Sequence, residues 1–437
     1  MSRAGGLAEE VTSFLGDFFD APLPLRIRLW DGSESGSPGA TVVVLRSPDA
    51  VRHMLWSPGE LGVSRAFVTG SLEVEGDLET GLSRVLAAVH GRRRKLGPAL
   101  AARGLKLMAA LGGLGRPLPP PRSEARPRGR LHSPSRDAQV ISHHYDLSND
   151  FFALLLDGSM AYSCGYWTDD RPGYGVADAQ RDKLDLICRK LGLRPGATLL
   201  DVGCGWGSLA VHAAKEFGAA VTAVTVSAEQ QAFVERRLNA EGVGHLVDLR
   251  RCDYREVLAE GGARFDAAAA VEMSEHVGDA NYPAFLAALH ASLAVGGRLL
   301  IQVMSRGGRN PGGGPFIERY IAPDMHMRPL GRTVSLLEAA GFEVRDVHAL
   351  REHYARTIRA WSAEMERRWE DVVALIGDER ARVWKLYLAG AALSFEENRM
   401  GVDQILSVRP TSDGRSAMPA TRADWEPAGE GAAAWAR

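Results

Sequence analysis

The sequence predicts an α/β protein, a doubly wound sheet with helical insertions, preceded by a small N-terminal α+β domain. Three observations carry that expectation. The apolar run 197–200 leads into Asp201-Val-Gly-Cys-Gly-Trp-Gly207, and 208–215 behind it has helical spacing, which is the opening of a βαβ unit. Further strand-like runs occur at 220–225, 249–254 and 265–273, at the spacing of successive βαβ strands, with Asp253 where the third would end. Ahead of them, 25–30 alternates apolar with charged residues, as a half-buried strand does, and 40–45 reads as a second strand.

Composition narrows the class. With 437 residues the chain has room for two or three domains. Apolar content of 45% and charged content of 24% suit a soluble globular protein, and a net charge of −2 argues against a generally basic one. Cys164, Cys188, Cys204 and Cys252 lack metal-ligand spacing and read as reduced thiols of a cytosolic protein. The first ten residues hold no apolar signal core, and no segment approaches the ~18 uncharged apolar residues of a membrane span. Any membrane role is therefore expected to be peripheral.

Residues 1–88 form the accessory domain, with turns at Asp31-Gly32 and 35–38, and a helix starting at Ser47 with Pro48 in its first position. No catalytic constellation falls there, so packing or docking is its expected role. Residues 89–135 read as a basic, Pro-rich linker, in which the run 91–95 and the arginines out to Arg130 are opposed only by Glu124. Two readings stand side by side: a solvated spacer, and a strip drawn to an anionic lipid surface by up to roughly 1 kcal/mol per basic residue. Nucleic acid is not expected, because aromatic residues for base stacking are missing.

The catalytic domain is placed at 136–410. Polar and aromatic residues crowd 140–167, too densely for an ordinary connection. Beyond the fourth strand come a helix at 282–293, a strand at 298–303, a glycine-rich loop at 307–314, a helix at 333–340 and a strand at 342–347. Helices are expected from Tyr354 to Leu406, and 411–437 is expected to be a disordered tail.

The strand after the glycine turn discriminates between cofactors. A nicotinamide site carries an acidic residue about 20 positions on, at the end of the second strand. Here that strand ends at Thr225 without one. The pattern resembles S-adenosylmethionine-dependent methyltransferases of the doubly wound, class I type. Four more motifs narrow it: His144-Tyr-Asp-Leu-Ser-Asn-Asp150, Tyr162-Ser-Cys-Gly-Tyr-Trp167, Thr225-Val-Ser-Ala-Glu-Gln-Gln231 and Glu275-His-Val-Gly278. In this order they resemble the cyclopropane-fatty-acyl-phospholipid synthases and their mycolic-acid relatives, over 136–410. Longer members of that family carry an N-terminal domain like residues 1–88.

The resemblance implies roles for particular residues. Tyr162 and Ser163 meet the methionine part of the cofactor, and Gly203 and Gly205 form its turn. Thr225, Val226 and Gln230 meet the ribose region, and Asp253 with Tyr254 sits near the adenine. A bicarbonate beside the sulfonium is also implied, held by the backbone of Cys164, by Glu275, by Tyr354 and by groups on the fifth strand. There Gln302 replaces the usual histidine, and Met304 takes the backbone-ligand position. Glutamine donates a hydrogen bond but carries no charge. In this respect the chain looks like relatives that make 10-methylene or 10-methyl chains with a flavin-dependent reductase partner. His276 is open between a structural and a catalytic role, and no metal is expected.

The expected reaction transfers a one-carbon unit from S-adenosylmethionine to the double bond of an unsaturated phospholipid acyl chain, giving a cyclopropane. Methylation to a methylene or methyl-branched chain is the alternative. An isolated alkene is a weak nucleophile and must be aligned with the methyl group. The resulting carbocation must be kept from water. Aromatic faces stabilise such a cation by about 1–2 kcal/mol each when dry, and Tyr145, Tyr162, Tyr166 and Trp167 are candidates. The expected setting is cytoplasmic, at the surface of an anionic phospholipid bilayer; a homodimer is left open.

Overall fold

A computed structural model describes residues 6–22, 24–89, 97–133, 136, 149–261, 264–308 and 310–422. It divides into two compact units.

The first comprises Met1–Arg126, Pro315–Ile321 and Glu366–Leu393. Its sheet runs in the order β2-β1-β3-β4, from β1 (Leu25–Leu29), β2 (Glu34–Gly36), β3 (Thr41–Leu45) and β4 (Leu72–Glu75). Leu25, Ile27 and Leu29 point inward and the arginines between them are partly exposed, so the alternation in sequence is the alternation in space. The unit is larger than the stretch 1–88 expected of it. Residues 98–110, expected within a linker, form a helix whose Leu107, with Leu111 just after it, is buried among Ala8, Val51 and Ala389. The basic residues of that segment obscured its apolar stripe. Glu124, the lone acid there, is 7% exposed and takes a bidentate pair from Arg65 plus a hydrogen bond from Tyr320. The basic run 91–95 lies outside the described residues.

The second unit comprises Pro127–Gly314, Ala322–Met365 and Ser394–Arg437. Its sheet holds β5 (Thr198–Val202), β6 (Ala220–Thr225), β7 (Val247–Arg251), β8 (Phe265–Val271), β9 (Leu293–Ser305), β10 (Glu343–Ala349) and β11 (Gly401–Val408). The order is β10-β11-β9-β8-β5-β6-β7, with β11 antiparallel to both neighbours and the strands from β9 to β7 parallel. This is the doubly wound class I methyltransferase sheet. The order reverses beside β5, which places a ligand crevice at the carboxyl ends of β5 and β8.

Two expectations are corrected here. The helices expected as far as Leu406 give way at Gly401 to β11, buried on both faces from Val402 to Val408. A strand covered on both sides shows no alternation, and Asp403 and Gln404 disguise it further. The tail is described as far as Arg422, whose guanidinium lies 2.7 Å from Asp346; residues 423–437 lie outside the described residues.

Candidate active site

The cofactor residues assemble around the end of β5. Gly203 and Gly205 have φ of +81° and +55°, the left-handed region that side chains disfavour. A Cβ on Gly203 would lie 2.5 Å from the Met273 side chain, so the turn admits only glycine without rearrangement. The backbone then enters the helix Ser208–Phe217. At the end of β6, Thr225 Oγ1 donates to Gln230 Oε1 at 2.7 Å, and Ser227 caps the helix Ala228–Glu241 by accepting from Gln230 N. Asp253 caps the helix Tyr254–Ala259 in the same way, accepting from Arg255 N at 2.9 Å. All nine residues expected to meet the cofactor line one cavity, from Tyr162 and Ser163 to Asp253 and Tyr254.

Two groups in that cavity carried no expectation of their own. Asp201 is 2% exposed, and burial pushes its carboxyl up to about 7. Its Oδ2 is buried without a hydrogen-bond partner among the described residues. Lys183, 1% exposed, donates to Ser163 Oγ at 2.9 Å. S-adenosylmethionine fits this donor set: the orphaned carboxylate oxygen suits an ammonium, and the glycine cradle admits backbone close to a ligand. A lysine on the buried face of the amphipathic helix Val176–Leu191, among Ala179, Leu184, Leu186 and Ile187, was the available signal.

The carboxylate cluster differs from expectation. Glu275 was expected to face Cys164, Gln302 and Tyr354, but Glu272 does so. Glu272 Oε1 accepts from Cys164 N at 2.9 Å and from Gln302 Nε2 at 2.7 Å, and Tyr354 Oη donates to Oε2 at 2.6 Å. Glu272 lines the cavity; Glu275 does not. The reason is the chain path. Glu272 leaves β8 with φ of +51°, which a non-glycine residue adopts at a penalty of about 1–3 kcal/mol. Its N–H donates to Gln302 O at 2.7 Å, so the kink is tied to β9. Glu275, on the following 3-10 turn, points into the interior and accepts from Met304 N at 2.7 Å. Burial first, then the charge of Glu272, pushes Glu275 up to about 8.

The donors expected to hold bicarbonate are therefore engaged by a side-chain carboxylate, and the arrangement does not fit that ion. Burial raises Glu272 above the ordinary carboxylate range, against the pull of its three hydrogen bonds. Cys164 contributes through its backbone; its thiol is fully buried and burial raises it well above the usual range. His276 lines the cavity, and burial lowers it to about 4, leaving a neutral imidazole.

The aromatic candidates separate. Tyr162 lies 5.5 Å from Phe152 and 5.4 Å from Trp361, centroid to centroid, and Tyr354 continues the run to Phe395. Trp167 instead has the guanidinium of Arg356 4.5 Å from its ring centroid, and Tyr166 packs against His348 and His353. Tyr145 and the motif 144–148 lie outside the described residues; Asn149 receives a hydrogen bond from the Trp206 indole. Trp361, which carried no expectation of a role in the site, is 1% exposed and lies against Tyr162 with the two rings tilted by 39°.

The chain is similar to known proteins in sequence and in fold. The profile of the family described as mycolic acid cyclopropane synthetase matches residues 132–405. A protein named probable fatty acid methyltransferase, from Pseudomonas putida, is 38% identical over 410 residues, covering 92% of this chain and 96% of its own. Tuberculostearic acid methyltransferase UfaA1 of Mycobacterium tuberculosis is 32% identical over 400 residues, covering 89% and 88%. Among solved structures, the mycolic acid cyclopropane synthase CmaA1 complexed with SAH and CTAB is 29% identical with a TM-score of 0.57, covering 62% of this chain and 97% of its own.

Proposed function

This chain belongs to the mycolic acid cyclopropane synthetase family and is an S-adenosylmethionine-dependent methyltransferase, and we propose that it methylates the double bond of an unsaturated phospholipid acyl chain to a methylene or methyl-branched product. The observation that carries the choice of product is the carboxylate cluster. Where the family resemblance implies bicarbonate, this chain holds Glu272 among Cys164 N–H, Gln302 and Tyr354. Relatives named as fatty acid and tuberculostearic acid methyltransferases align along about nine-tenths of the chain, which supports the same reading. Cyclopropanation, the first expectation from sequence, is the second reading here.

The bound donor supplies an electrophilic methyl group on a sulfonium. The residues around it do the rest. Asp201, Ser163 and Thr225 with Gln230 orient the two ends of the donor. Tyr162, at the cavity wall and backed by Phe152 and Trp361, excludes water and offers its ring to developing positive charge. When the alkene's electron pair takes the methyl group, the neighbouring carbon becomes cationic and S-adenosylhomocysteine is left. Glu272 accepts the proton whose loss restores neutrality. Loss from the chain carbon gives a methyl-branched alkene; a prior hydride shift and loss from the methyl gives a methylene. Saturating either product takes a separate hydride donor, the role of the proposed flavin-dependent reductase partner.

The proposed setting is the cytoplasmic face of an anionic bilayer. No helix among the described residues is long and apolar enough to cross a membrane. The first unit exposes Trp56 at 51% and Leu114 at 53%, and the Trp56 indole donates to Gly115 O, so the two residues share one patch. Arg116 and Arg122 are exposed on the same segment, whose one acid, Glu124, is buried and paired. The deciding experiment incubates purified protein with S-adenosylmethionine and unsaturated phospholipid and tracks the acyl chains by mass spectrometry. A gain of one CH2 in a product that still takes up hydrogen over a catalyst supports the proposal. A product inert to mild hydrogenation is a ring and selects the second reading, while no added carbon removes both.

A further inference from the structure

We infer that Gln404 is a positioning residue that turns the amide of Gln302 so that its N–H, and not its oxygen, faces Glu272. The inference deepens the reading of Glu272 as the proton acceptor and rests on it. A line of side chains runs across β11 and β9 to the end of β8. Gln404 lies directly opposite Gln302 in the antiparallel pairing, and both are fully buried. Gln404 Nε2 donates to Gln302 Oε1 at 3.0 Å, and Gln302 Nε2 donates to Glu272 Oε1 at 2.7 Å. The oxygen and nitrogen ends of a glutamine amide have nearly the same shape, so packing does not choose between them; partners do. In the inverted orientation the amide oxygen of Gln302 would face a carboxylate oxygen, acceptor against acceptor.

The surroundings argue that the pair is there for its far end. Leu300, two residues from Gln302, and Val402 and Leu406, two residues either side of Gln404, share their face of the sheet and are fully buried. Burying amides among such residues is unfavourable unless their hydrogen bonds are made. That condition is met only in part, because Gln404 Oε1 has no partner among the described residues. Aliphatic residues would fill the same space without an orphaned oxygen. What the two amides achieve is a fixed donor on Glu272. The other groups that act on Glu272 are the Cys164 N–H and thiol, the Tyr354 hydroxyl, the buried Lys183 ammonium and the Glu275 carboxyl. Gln404 touches Gln302, and acts on Glu272 only through it.

The test uses the full-length protein and two variants. Gln404→Met keeps length and volume and removes the donor, whereas Gln404→Glu substitutes an acceptor when ionised and favours the inverted Gln302. The first readout needs no substrate: the carboxyl carbon of Glu272 is titrated in glutamate-labelled protein, assigned by its disappearance in Glu272→Gln. Its midpoint is expected to rise by about one pH unit in Gln404→Met and further in Gln404→Glu. The second is turnover of an unsaturated phospholipid, where kcat is expected to fall about tenfold. KM and affinity for S-adenosylhomocysteine should stay within about twofold of the parent. An unmoved midpoint in Gln404→Met overturns the inference, and so does a loss of S-adenosylhomocysteine affinity as large as the loss of kcat. A midpoint that moves in a protein that methylates no lipid leaves the positioning role standing and removes the proposed reaction instead.

Discussion

Two carboxylates, Glu272 and Glu275, lie three positions apart in sequence, yet the fold gives them different neighbours. Glu272 is braced by three donors at the cavity wall, and Glu275 accepts one backbone N–H in the interior. Glu272→Gln is expected to lower kcat by roughly 10²–10⁴, the usual contribution of a positioned base, with S-adenosylhomocysteine affinity retained. Glu275→Gln should lose far less. A larger loss in Glu275→Gln would return the acceptor's role to that residue. Glu275 also has a stability signature. Its folded value, about 8, lies above the ordinary 4.5. Between those limits the unfolded chain is ionised while the folded one keeps its proton, so this residue's contribution is full at low pH and is lost as pH rises towards 8. The melting temperature of Glu275→Gln relative to the parent should therefore be higher at pH 8 than at pH 5. An equal difference at both pH values would contradict the assigned burial.

At the scale of elements, the glycine turn after β5 and the last strand decide the site. Gly203→Ala meets two obstacles, a φ of +81° and a Cβ 2.5 Å from Met273 Cγ. Left-handed backbone alone disfavours alanine by about 1–2 kcal/mol. The expected result is at least a tenfold loss of S-adenosylhomocysteine affinity, on the scale of about 1.4 kcal/mol per factor of ten, read by calorimetry. Unchanged affinity would show that the turn is not the cradle. The strand Gly401–Val408 supplies no residue to the cavity lining, yet it fixes Gln302 from behind. The turn after Leu111 and the end of the helix Pro48–Trp56 form the patch assigned to lipid. Replacing both Trp56 and Leu114 by serine should lower binding to anionic vesicles about tenfold or more, since each buried side chain contributes roughly 1.5–3 kcal/mol. Affinity for S-adenosylhomocysteine should not change. Sedimentation with vesicles equal to that of the parent would remove this face from the proposal.

At the scale of the whole molecule, the two units draw on distant parts of the chain. The first takes residues from three separate stretches, and so does the second. Boundaries written as intervals along the sequence could not express this. Composition reports charge and apolar content, whereas membership in a unit depends on which apolar faces find one another. Residues 98–110 show the difference: their basic residues read as linker, and Leu107 and Leu111 pack into a core completed by Ala389.

The sequence by itself determined local features. The strand–turn–helix around 201–207, the helix start at Ser47-Pro48 and the alternation of β1 depend on neighbours within a few residues, and each stands where it was read. The residues expected to meet the cofactor line one cavity: Gly203, Gly205, Thr225 and Asp253 lie at or just after strand ends marked by their own motifs, whereas Tyr162 and Ser163 come from a segment outside any strand. The tertiary structure decided which of two glutamates meets Tyr354, because that depends on a positive φ at Glu272 and a bond from its N–H to β9. It also decided that Asp403 and Gln404 belong to a buried strand, as burial on both faces erases the periodicity by which strands are recognised. Contacts 82 residues apart, like that of Tyr354 with Glu272, depend on how the sheet closes, and no local pattern encodes them.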